Sequence, residues 1–132
     1  MATAIPQTHS DLFGKKAFAN LATINADGSP QVTPVWIDFD GTNVLVNTAQ
    51  GRVKDRNLRR NPNVALSILD PDNPYRYLAI QGRVTKVTTD GADAHIDKMA
   101  KKYMDKDSYP FRKATEIRVV FTIAPEKVHT NG

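Results

Sequence analysis

The chain has 132 residues, 40% apolar and 24% charged, with 7 glycines, 8 prolines and no cysteine. That length suits one unit with one core, because two would each be marginal, and no run approaches the ~20 apolar residues of a bilayer-crossing helix. Without cysteine, disulfides, thiolate metal sites, iron–sulfur clusters and thiol nucleophiles are excluded. Residues 1–10 hold no apolar run of the kind a secretory signal carries, so the expectation is a cytoplasmic protein with no membrane partner, one domain over 1–132.

The net charge of +4 sits in one place. Between Arg52 and Arg60 five basic residues (Arg52, Lys54, Arg56, Arg59, Arg60) face one acid, Asp55, and that difference is the whole excess. The rest of the chain is formally neutral. A localised anion site follows, rather than the broad electrostatic footprint that nucleic-acid proteins spread over a face.

In chain order, Thr8 or Ser10 can cap a short helix that turns Leu12 and Phe13 inward. Residues 17–24 read as a strand, closed by the turn formers of 25–30. Residues 31–39 read as a second strand with Val35, Ile37 and Phe39 on one face; Pro34 within it favours an edge or a bulge. A turn at Asp40-Gly41-Thr42 leads to a third strand, 43–48, then to a basic helix over 52–60 ended by Asn61-Pro62, and to a fourth strand, 64–69. The segment 70–74 (DPDNP) reads as a loop, and 75–88 as a long strand that Gly82 can bend. Ile96, Met99 and Tyr103 repeat at helical spacing behind Thr89/Asp90, which predicts a helix over 90–104. Residues 117–123 alternate Ile117/Val119/Phe121/Ile123 against Arg118/Val120/Thr122, a further strand. Hairpin-length strands with peripheral helices predict a mainly β (α+β) fold: a six-to-seven-stranded antiparallel split β-barrel with two or three peripheral helices.

Arg52, Lys54 and Arg56 at the start of a helix oppose its dipole by a few tenths of a kcal/mol each, so stability alone does not select them. Amide N–H groups at the same end, with these cations and with Gly51 permitting close approach, would form a phosphate or carboxylate cradle. A solvated charged face is the plain alternative. Nucleic-acid binding is disfavoured: no aromatics interleave the run and no second basic stripe tracks a backbone. Elsewhere the chemistry is sparse. His9, His95 and His129 are scattered and no spacing fits a metal, so no metal site is expected. No serine lies in a nucleophile elbow, Asp70/Asp72 suit loop chemistry, and His95 reads as an exposed or half-buried helix residue. No catalytic side chain stands out; any redox chemistry would be a cofactor's.

Residues 28–68, with NTAQGRVKDRNLRRNP at their centre, followed by YRYLAIQGRVTKV at 75–87, resemble the split β-barrel flavin/deazaflavin oxidoreductases related to pyridoxamine 5'-phosphate oxidase. The likeness is greatest to the actinobacterial branch that uses coenzyme F420. It implies that Arg52 and Lys54 hold the cofactor phosphate with Asn57 beside them, Gln50 and Gly51 adding backbone contacts and Arg56 further charge. It also implies that Gln31, Thr33 and Val35, with Trp36 nearby, lie along the cofactor ring. The family's homodimers would bring Tyr75 and Tyr77 of one chain to the cofactor of the other, or these tyrosines would simply fill the interface.

Two departures bear on activity. Gln31-Val32-Thr33-Pro34-Val35-Trp36 stands where the oxidase has Arg-x-Val-Leu-Leu-Lys, and the chain ends PEKVHTNG without the oxidase's Trp-Arg-Pro-type segment, which argues against pyridoxamine phosphate oxidation. Arg56, Arg59 and Arg60 would suit a polyglutamate tail. The resemblance therefore implies an F420-dependent reductase passing hydride to an electron-poor, unsaturated small-molecule acceptor. The alternatives are an FMN oxidoreductase of the same fold and a non-catalytic flavin or tetrapyrrole carrier.

Overall fold

Alternation of side chains across β1 (Ala19–Ile24) turns Ala19, Leu21 and Thr23 inward, as it does Val64, Leu66 and Ile68 in β5 (Asn63–Asp70). The computed structural model, which describes residues 3–132, adds β2 (Pro30–Val35), β3 (Asp38–Phe39), β4 (Val44–Ala49), β6 (Asn73–Thr88) and β7 (Arg118–Asn131). The two helices are α1 (Val53–Arg60) and α2 (Ala92–Met104), and Ser10–Gly14 forms a short 3-10 turn with Leu12 and Phe13 buried. All pairings are antiparallel, in the order β2-β1-β5-β6-β7-β4-β3.

That order closes the sheet. β2 and β3 lie at opposite edges, yet only Trp36 and Ile37 separate them in sequence. Three Cα steps span at most about 11 Å, so the sheet must curl until its edges nearly meet. The result is a split β-barrel, its interior filled by residues such as Leu21, Ile68, Leu78, Ile80, Val46 and Phe121.

Several expectations are corrected. The second strand does not run through 31–39; it breaks at Trp36-Ile37 and its two halves pair with different neighbours, β1 and β4. Pro34 does lie on an edge strand, where its missing N–H costs no ladder bond. The 70–74 loop reduces to a tight turn, because β6 begins at Asn73. The last strand reaches Asn131 rather than Ile123, pairing with β6 from Tyr77 to Thr88, and Ile117 stays outside it, exposed. Thr89/Asp90 do not cap α2; Gly91 does, in the left-handed conformation.

Gly82 sits at a bulge between β6 and β7, where a Cβ would lie 2.8 Å from the Ala124 carbonyl oxygen. On the outside of the barrel α2 covers the start of β7 with Ala92, Ile96, Met99 and Ala100, which is why both phases of residues 118–121 are buried. No helix among the described residues is long and apolar enough to cross a membrane.

Candidate functional site

A cavity of about 460 Å³ opens beside the split in the barrel. Pro34, Val35 and Trp36 from the end of β2 and Phe18 before β1 form one side, and Tyr109 and Phe111 of the segment between α2 and β7 form another. The aromatic wall is ordered. Trp36 stacks on Tyr103 at 5.2 Å with planes 3° apart, and meets Tyr109 edge-on at 6.1 Å. Tyr103 is fixed in turn by donating to the Ala17 carbonyl at 2.7 Å while accepting from Ile37 N–H. Such a slot suits a planar ring.

The remaining side is cationic. Arg52, Lys54 and Arg118 line the cavity with Asn47 and Thr48. Glu116, itself barely exposed, accepts Nη1 of Arg118 at 2.7 Å and Nη2 of Arg52 at 3.3 Å. Burial alone would raise its carboxyl, but the Arg118 hydrogen bond and the Arg118, Arg52 and Lys113 charges hold it below the usual carboxylate range. Lys54 has no acidic partner among the described residues, and burial, with the charges of Arg52 and Arg118, pulls its ammonium below the usual lysine range. Thr48 is buried, and its hydroxyl oxygen has no hydrogen-bond partner among the described residues. An unpaired cation and an unsatisfied hydroxyl on one cavity are costly when empty of ligand and are met by an acceptor-rich anion.

Four of the residues expected from sequence, Val35, Trp36, Arg52 and Lys54, come together here. Gln31 and Thr33 lie farther along the same half-buried phase of β2 and do not line the cavity. Neither backbone N–H expected of the turn is available to a ligand: Gln50 N–H donates to the Ile117 carbonyl, and Gly51 N–H to the Asp55 carboxylate. Asn57 is buried away from the cavity, its amide donating to Thr23 Oγ1 at 3.0 Å and Asn25 Oδ1 at 2.9 Å, so it ties α1 to β1. Arg56 is exposed, Arg59 pairs with Asp55, and Arg60 donates to Asn57. Tyr75 is 81% exposed at the β5–β6 turn, and Tyr77 lies against the His129 ring at 6.1 Å.

Sequence reasoning missed Thr48, Asn47, Arg118, Tyr109 and Phe111. Arg118 carried a signal: a lone charge beside the apolar run Val119-Val120-Phe121. Tyr109 and Phe111 lie in a coil with no periodicity to mark them.

The family described as Pyridoxamine 5'-phosphate oxidase matches residues 5–132. A solved F420 reductase is 33% identical, over 95% of this chain and 98% of its own, with a TM-score of 0.85. HupZ from Group A Streptococcus is 22% identical over 96% and 98% of the two chains (TM-score 0.66). The heme storage protein HutZ from Vibrio cholerae is 16% identical over 98% and 96% (TM-score 0.70). At those identities the latter two share the fold alone.

Proposed function

The chain belongs to the pyridoxamine 5'-phosphate oxidase family, and from that premise we propose that it is a homodimeric F420-dependent reductase acting on an electron-poor, unsaturated small molecule. The observation that carries the reading is the pairing, on one cavity, of an unneutralised cationic end with a stacked aromatic wall. A coenzyme with an anionic arm and a planar ring has that division of chemistry. The similarity to an F420 reductase along nearly the whole chain favours the deazaflavin over FMN.

When bound, the deazaflavin supplies the hydride. The protein's part is to bind, orient and exclude water. Lys54 and Arg52 would hold the phosphate, with Thr48 Oγ donating the hydrogen bond it lacks. Val35 and Trp36 would flank the ring, and a second copy of the chain would bring the exposed Tyr75 and the half-buried Tyr77 over it. Gln31 and Thr33, on the same edge strand, would then face that seam.

Titrating the protein separately with FMN and F420 by fluorescence quenching tests the cofactor. Tighter binding of FMN overturns the F420 assignment. Steady oxidation of reduced F420 only on addition of an acceptor marks an enzyme, whereas stoichiometric binding without turnover marks a carrier.

A further inference from the structure

Among the described residues Arg118 is the only lysine or arginine that is buried, at 5% exposure. Nε donates to Asn47 Oδ1 at 2.9 Å, Nη1 donates to Glu116 at 2.7 Å, and the guanidinium lies over the Tyr109 ring at 5.1 Å. Nη2 donates to no atom of the described residues, and Arg118 lines the cavity. A cation is expensive to bury, and one buried with a donor left over is a poor structural choice but a good ligand.

Its aim is set from a distance. The Asn47 amide cannot be turned over, because Arg118 Nε only donates and the Ala92 carbonyl, which takes Asn47 Nδ2 at 2.8 Å, only accepts. Asn47 Nδ2 therefore also points its hydrogen at His95 Nδ1, 3.1 Å away, and Nδ1 must be an acceptor. The imidazole proton lies on Nε2 and is donated to Asp38 Oδ2 at 3.1 Å. Asp38 is anchored by Lys98 at 3.0 Å and by the N–H of Phe39 at 2.9 Å. Donor and acceptor alternate without a break from β3 through α2 and β4 to β7.

We propose that Arg118 is a third cation of the anion site, its Nη2 donating to the group that Lys54 holds, and that His95 is a positioning residue that aims Arg118 through Asn47. Arg52, Lys54 and Arg118 against Glu116 leave a surplus of two positive charges on the cavity. That surplus fits a phosphate monoester dianion, or a phosphodiester flanked by a carboxylate. The inference rests on the reading that the cavity takes the anionic arm of the coenzyme.

The test titrates F420 and FMN, by fluorescence quenching, into the wild type, Arg118→Gln, Arg118→Lys, His95→Leu, His95→Asn and the double variant Arg118→Gln/His95→Leu, each checked by thermal unfolding. Both Arg118 variants should bind the preferred coenzyme about tenfold more weakly or worse, since a charge-assisted bond is lost. His95→Leu should show most of that loss, and His95→Asn, which keeps an acceptor facing Asn47, should recover it. In the Arg118→Gln background His95→Leu should add nothing. Nitrogen NMR of the wild type should show His95 protonated on Nε2. If Arg118→Gln does not fold, Arg118→Lys and His95→Leu carry the same comparison. Wild-type affinity in the Arg118 variants, or additive losses in the double variant, overturns this inference while leaving the reductase reading standing. Failure of the wild type to bind either coenzyme overturns the reductase reading, and this inference with it.

Discussion

The Asp55 carboxylate turns back along α1 to accept the N–H of Gly51 at 2.9 Å, while its other oxygen takes Arg59 Nε at 2.8 Å. The one acid within the cationic window thus does not neutralise the cavity. It holds the left-handed Gly51 turn from which Arg52 and Lys54 project, and it occupies the arginine on the far side of the helix. Asp55→Ala should lower stability by about 1–3 kcal/mol, because the charge-assisted bond to the Gly51 N–H and the pair with Arg59 are both lost. It should also weaken coenzyme binding, although Asp55 touches no part of the cavity. Urea denaturation and quenching titration read the two effects, and a variant as stable as the wild type would remove Asp55 from this role.

Lys54→Ala should weaken coenzyme binding by about 1.5–3 kcal/mol with little change in unfolding midpoint, because the ammonium has no acidic partner among the described residues to lose. The pH dependence has a definite sign. The bound anion requires the charged ammonium, whose loss in the free protein begins below the usual lysine range. Affinity should therefore hold through neutral pH and fall as pH rises, earlier than an ordinary lysine would allow. In Lys54→Arg this alkaline decline should vanish. A decline unchanged in Lys54→Arg would assign it to another group.

How much of this was legible in the sequence follows from which forces are local. Alternation marks β1, β4 and β5 because one face of each meets the core, and the helical spacing of Ile96 and Met99 marks α2 for the same reason. The break at Trp36-Ile37 is invisible to alternation, since Val35, Ile37 and Phe39 keep their phase through it. What ends β2 is the availability of a different partner, β4, on the far edge of the sheet. Arg118 stands on the phase that alternation assigns to solvent, yet Asn47, Glu116 and the Tyr109 ring enclose it. The basic helix announced an anion site, yet sequence could not say that Arg59, Arg60 and Asn57 serve the fold while Lys54 is left unpaired.

Gly82→Ala should destabilise the protein by about 1–3 kcal/mol, because the new methyl meets the backbone carbonyl oxygen of Ala124 and the fully buried Ile123 side chain, each at 2.8 Å, and neither can swing away freely. The loss should appear in the urea midpoint. Coenzyme affinity, measured below the unfolding transition, should stay at the wild-type value, since Gly82 does not line the cationic cavity. An unchanged midpoint would mean that the β6–β7 bulge yields freely.

Asp70 accepts Lys15 Nζ at 2.8 Å, the N–H of Asp72 at 2.9 Å and Arg76 Nη1 at 2.9 Å, fastening the β5–β6 turn to the segment before β1. The Lys15 bond above all, then the Asp72 N–H and Arg76, hold its carboxyl well below the usual range. A carboxyl depressed in the folded state adds stability that is complete above the unfolded value, about pH 4, and drains as pH falls below it. Asp70→Asn should therefore melt earlier than the wild type at pH 7, with the gap beginning to narrow as pH falls below about 4. A gap independent of pH would deny Asp70 this share of the acid sensitivity.

Thr48→Val separates stability from binding by sign. Thr48 is 1% exposed and its Oγ1 meets no donor or acceptor among the described residues, so folding strips water from a hydroxyl and returns nothing. Valine replaces that hydroxyl with a methyl of similar size and should raise the melting temperature, by an amount corresponding to about 1 kcal/mol. Thr48 is among the residues that line the cavity with Lys54, and an anionic oxygen bound there would accept its hydrogen. Affinity for the coenzyme should then fall by a few-fold to tenfold in the more stable protein. A loss of function produced by loosening the barrel would move both quantities down together. If Thr48→Val is stabilised and binds as the wild type does, the hydroxyl is a packing residue and the anionic arm lies elsewhere on the cationic wall.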